Sequence, residues 1–188
     1  MDTNFFKRLE INPIIAAVND LNKLDNAINS PCENIFLLTG NIVNLKEIVD
    51  KVRQKDKGIY IHLDLIDGIS KDNWGLQYIA KNINPHGIIT TKSSLINYSR
   101  ELDIFAIQRL FVLDSLSLDT GIRNIKNTEP NAVEILPGIM PKIVKRVVQE
   151  TRRPIITGGL IMDKEDVIGS LNSGAVAIST SNEKVWYM

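Results

Sequence analysis

Two residue pairs stand where a chain can do chemistry. Gly158-Gly159 follows the apolar run PIIT at 154–157, and Ser179-Thr180 closes the apolar run AVAIST at 175–180. Glycine lets a backbone turn tightly or approach a ligand closely, and hydroxyls at a strand end donate hydrogen bonds. Two such ends in succession suit an anion such as a phosphate group. Other polar residues intrude on apolar runs in the same way. In YIHLDLIDG, alternation puts His62 and Asp64 on one face with Asp64 nearer the strand end, Glu134 is a lone charge in AVEILPG, and Gln108 and Arg109 interrupt AIQRLF. A buried charge needs a partner, so Glu134 is expected to pair with Arg109 or Lys142. Asp64 and Glu134 also have the form of an acid and base pair for an isomerase or aldolase acting on a small phosphate ester, or of a phosphodiesterase with a divalent cation.

Other catalytic signatures are missing from the chain. It has no HExxH, no GxSxG, no P-loop with its lysine and no cysteine paired with histidine. Lys92 and Lys142 both follow their strands in loops rather than sitting at a strand end as a Schiff-base lysine would. The residues therefore favour a binder over an enzyme, with no catalytic residue, no metal and no cofactor expected.

These groups need elements to position them. Strand-like runs occur at 13–18, 34–40, 58–65, 87–91, 105–112, 132–138, 154–160 and 175–180. Between them lie helical spacings, such as Leu45, Ile48, Val49 and Val52, and Pro31, Gly58, Pro85, Pro130, Pro154 and Gly174 punctuate the strand starts. Asp163, with Asp166 three residues later, marks a helix start. Eight β-α steps predict an α/β fold, a small (β/α)8 TIM-type barrel that is incomplete or irregular, since 188 residues fall below the roughly 200 or more usual for that fold. An open doubly wound sheet would place a glycine turn after its first strand, and PIIAAVNDL has none. In such barrels phosphate is often held by the loops after strands seven and eight, where the two pairs lie. TSNEKVWYM is expected to add a short terminal helix whose positive end faces the ligand.

Composition narrows the class. The formal net charge is zero, so no broad field draws the chain to nucleic acid or to a membrane surface. Cys32 is the only cysteine, no apolar run approaches a bilayer span, and MDTNFFKRLE lacks the pattern of a signal peptide. One domain over 1–188, cytoplasmic and without a membrane partner, is the expectation.

Taken in order, PCENIFLLTGNI, HLDLIDGIS, GIITT, QRLFVLDSLSL, VEILPGIMPK, PIITGGLIMDKEDV and GAVAISTSNEKVWYM resemble the glycerol uptake operon antiterminator family across nearly the whole chain. The resemblance implies a regulator that binds sn-glycerol 3-phosphate as effector and acts on the leader mRNA of glycerol-utilisation operons, preventing termination. Differences at LTGNI and LIMDKED are conservative at the ligand positions. The ligand set expected on these grounds is Gly158, Gly159, Ser179, Thr180, Asp64, Glu134 and Lys142. For RNA, PKIVKRVVQETRRP gathers Lys145, Arg146, Arg152 and Arg153 beside Lys142, although a solvated helix face explains the same charges. Trp186, Tyr187 and Met188 form an apolar end expected to dock on the barrel or on a second subunit of a homo-oligomer.

Overall fold

The computed structural model describes residues 3–188. The helix α1 (Thr3–Ile11) leads into β1 (Ile14–Val18), α2 (Leu24–Asn29), β2 (Asn34–Leu37), α3 (Leu45–Arg53) and β3 (Gly58–His62). Then come α4 (Asn73–Tyr78), which runs on into a π-helical stretch (Ile79–Ile83), β4 (Gly87–Thr90), α5 (Ser93–Glu101), β5 (Phe105–Phe111) and α6 (Ser115–Thr128). The chain ends with β6 (Ala132–Leu136), α7 (Pro141–Thr151), β7 (Ile155–Gly158), α8 (Lys164–Asn172), β8 (Ala177–Thr180) and a 3-10 turn (Val185–Tyr187). All eight expected strands are present.

The strands pair in chain order, all parallel, and β8 closes on β1 with Ile14 opposite Ile178. The sheet is a complete (β/α)8 barrel. Its strands are buried on both faces because one face lines the interior and the other is covered by helices, which is why they read as continuous apolar runs. Short polar sequences set where the helices begin: Asp72, Asp114 and Asp163 cap α4, α6 and α8 by accepting hydrogen bonds from backbone N–H groups of the first turn.

The economy in length lies in the eighth connection. The expected terminal helix is only the 3-10 turn, too short to carry an axial dipole toward a ligand. Instead it supplies Trp186, fully buried, whose Nε1 donates to the Thr180 carbonyl at 2.7 Å. Trp186 thus docks on its own barrel, while Tyr187 and Met188 remain exposed. At the opposite end α1 closes the floor of the barrel, with Phe5 packed 4.9 Å from the rings of both Tyr60 and Phe105. Cys32 is buried and its thiol is pushed up to about 11 by that burial, so it is an inert core residue. No described helix is long and apolar enough to cross a membrane.

Candidate functional site

At the C-terminal ends of the strands the apolar filling of the barrel gives way to a polar layer. Arg109 and Glu134 occupy neighbouring positions in register on β5 and β6. Arg109 Nε donates to Glu134 Oε2 at 2.6 Å, and Ser179 Oγ donates to Glu134 Oε1 at 2.6 Å. The pairing expected for Glu134 is therefore with Arg109. Both oxygens of this buried carboxylate are used, which is what makes a charge tolerable there. Gly158 belongs to the same layer: a side chain at that position would put its Cβ 2.5 Å from Ser179 Oγ and 2.9 Å from Glu134 Oε1. This glycine is required by the network it borders. Gly159 follows with φ +73°, and Leu160 repeats the left-handed conformation at φ +61°.

His62 closes the layer from β3, on the inward parity that it shares with Tyr60. The residue is 2% exposed, and its Nδ1 has no hydrogen-bond partner. Burial, reinforced by the Arg109 cation and more weakly by Lys71, pushes the imidazole down to about 4 against the upward pull of Asp64. The ring is neutral at physiological pH. Arg109 spends only Nε on Glu134, so the terminal nitrogens of its guanidinium are available to an acceptor brought into the mouth.

The remaining predicted positions divide between cavity and framework. Asp64 accepts from Thr90 Oγ1 at 2.9 Å, from the Thr91 backbone N–H at 2.7 Å and from Thr91 Oγ1 at 2.9 Å, so its carboxylate ties the loop after β3 to the end of β4. Ser179 points into the barrel, but Thr180, the next residue, points outward. Its hydroxyl donates to the Ile161 carbonyl and accepts from the Asn182 N–H, both at 3.1 Å. Asn182 Nδ2 donates to the Met162 carbonyl at 2.9 Å, which laces the loops after β7 and β8 together. The N–H groups at the start of α8 are met by carboxylates of the chain itself: Asp163 takes that of Asp166, and Asp166 takes that of Met162. Lys142 is exposed in the first turn of α7 and makes no ion pair among the described residues, so it does not join Glu134.

The basic run is less free than its sequence suggests. Arg146 is held by Glu150 and Asp119, each at 2.8 Å, and Arg153 pairs with Glu129 at 3.0 Å. Lys145 is exposed, and Arg152 ends α7 in a left-handed conformation. Among the described residues no group of three or more His, Cys, Asp or Glu is placed to hold a metal ion. His62 and Arg109 were absent from the expected ligand set. Their signal was there, as lone polar residues at inward positions of apolar strands.

Comparison with known proteins gives this geometry a context. The family model described as "Glycerol-3-phosphate responsive antiterminator" matches residues 14–186. The Escherichia coli protein YgcP is 40% identical over 178 residues, covering 95% of this chain and 93% of that protein. The crystal structure of a glycerol uptake operon antiterminator regulatory protein from Listeria monocytogenes is similar with a TM-score of 0.90 at 31% identity, covering 93% of this chain and 95% of that one. An antiterminator-related protein from Thermotoga maritima is similar with a TM-score of 0.84 at 28% identity, covering 95% of this chain and 99% of that one. Barrel aldolases at 10–12% identity share the fold alone.

Proposed function

The chain belongs to the glycerol-3-phosphate responsive antiterminator family, a regulatory family, and from that premise we propose that it binds sn-glycerol 3-phosphate in the barrel mouth and controls termination by binding the leader mRNA of glycerol-utilisation operons. The observation that carries the effector half is the incompletely satisfied polar layer. Arg109 has terminal nitrogens to spare and His62 has an unpartnered nitrogen, both on the floor of an open mouth. A phosphate ester offers what they lack. Its anion accepts from the Arg109 amino groups and from the backbone at Gly159, and its hydroxyls meet His62 and Ser179. Glu134 holds Arg109 in place, and Lys142 adds a cation at the rim. Nothing in the layer resembles a nucleophile at work: the inward residues at the strand ends are His62, Arg109, Glu134 and Ser179, without a lysine for a Schiff base.

Control of RNA by a small metabolite requires that the ligand bind the RNA-competent state more tightly, and RNA must then raise the affinity for the ligand by the same factor. Calorimetry with sn-glycerol 3-phosphate and with glycerol, with and without leader transcript, tests both halves. The expected result is binding of the phosphate ester alone, strengthened by RNA. Equal affinity for glycerol, or turnover seen by product analysis of the same samples, would replace this reading with an enzymatic one.

A further inference from the structure

At the end of the barrel opposite the mouth, the loops leading into β4, β5 and β6 surround a cavity of about 490 Å3. In this fold the strand N-termini usually serve stability, so a ligand-sized cavity there is unaccounted for by the mouth. Arginines converge on its rim from separate elements. Arg53 Nη1, from the end of α3, donates to the Asn84 carbonyl at 2.6 Å, and Arg100, from the end of α5, lines the cavity and donates to the Thr128 carbonyl. Each bond caps a helix C-terminus but occupies only part of a five-donor fork. Inside, Asn131 Oδ1 accepts from the Ala106 N–H at 2.8 Å, which leaves its amino group as a donor, and Asp103 adds an exposed acceptor. Phe105 and Pro130 contribute apolar wall.

A cationic rim, an amide and a carboxylate for edge contacts, and an apolar wall are together what an unstacked nucleotide needs. The two faces of the barrel also differ in what they offer a phosphodiester. Helix N-termini face the mouth and draw acidic caps such as Asp72, Asp114 and Asp163, whereas the C-termini at the other end draw Arg53 and Arg100. We propose that this cavity accepts one unstacked base of single-stranded RNA, with Arg53 and Arg100 on the flanking phosphates. The inference rests on the RNA-binding half of the function proposed above and places that surface away from α7.

The probe is an RNA selected from a random-sequence pool on the wild-type protein and titrated at several salt concentrations. Three variants are compared with wild type: Arg53→Glu with Arg100→Glu, Ala80→Trp, which fills the cavity without changing charge, and Lys145→Glu on the outer face of α7. The double variant is expected to lose affinity on the order of 100-fold and to show a shallower salt dependence, by roughly two counterions. Ala80→Trp is expected to lose about tenfold with an unchanged slope, as for one lost base contact. Lys145→Glu should match wild type, and cooperative thermal melting reports that each variant folds. If removing the arginines disturbs the fold, Ala80→Trp decides alone. Wild-type RNA affinity in Ala80→Trp overturns the inference while leaving the antiterminator reading in place. Self-association that Ala80→Trp weakens while RNA binding persists assigns the cavity to a second copy and also overturns it. A wild-type protein that enriches no RNA from the pool overturns both.

Discussion

The guanidinium of Arg109 meets the carboxylate of Glu134 inside the barrel at 2.6 Å, with side chains only 6% and 1% exposed. An ion pair so buried is sensitive to the loss of one partner rather than of both. Glu134→Ala strands a cation and is expected to cost about 3–5 kcal/mol in urea denaturation, whereas Arg109→Met combined with Glu134→Leu recovers most of that loss. Neither variant should bind glycerol 3-phosphate. A double variant no more stable than Glu134→Ala would show that the pair is not the source of the cost.

Gly158→Ala tests the packing of the same layer. The new Cβ falls on Ser179 Oγ and Glu134 Oε1, so a loss of about 1–3 kcal/mol is expected from thermal melts. Adding Ser179→Ala removes the nearer obstacle and should restore part of it. Gly159→Val differs, since the nearest atom to its Cβ is 3.4 Å away and the cost is conformational, at φ +73°. That variant should fold with a penalty of roughly 1–2 kcal/mol and lose glycerol 3-phosphate binding by calorimetry. Undiminished affinity would make Gly159 a turn residue only.

His62 sets a pH dependence. Its imidazole titrates at about 4 when folded, below the ordinary 6.5, so between those values the unfolded chain holds a proton that the folded protein does not. Stability therefore falls as pH drops from 6.5 toward 4, by on the order of 3 kcal/mol from this residue. Chemical denaturation of wild type and His62→Asn across that range isolates the effect, because carboxylates elsewhere contribute equally to both. A constant difference between the two proteins would mean that His62 titrates normally.

Asp64→Asn is expected to act on the fold rather than on the ligand. The carboxylate is already engaged by Thr90 and by Thr91, so its replacement should cost about 1–3 kcal/mol while glycerol 3-phosphate affinity stays near that of wild type. The opposite pattern, full stability with weakened binding, would return Asp64 to the ligand set.

Much of the architecture was written in local sequence. Period-two and period-3.6 patterns, with aspartates at helix starts and glycines or prolines before strands, place every strand and nearly every helix because these preferences act over a few residues. Inward polar residues were legible for the same reason: His62, Arg109 and Glu134 are lone polar groups in apolar runs whose parity is set by the pleat. Parity alone also separates Ser179 from Thr180, since consecutive strand residues face opposite ways, and listing both as ligand groups overlooked it. What local sequence did not decide is what lies across from each group. Ser179 reaches Glu134 over 45 positions of chain, Asp64 reaches Thr90 over 26, and Arg53 reaches Asn84 over 31. Those partners, the sealing of the eighth connection by Trp186 and the cavity at the far end exist only once the sheet has closed. A barrel's registers and helix docking bring together side chains that no short-range preference relates, and that closure turned a set of lone polar residues into one satisfied network and one set of donors left to a ligand.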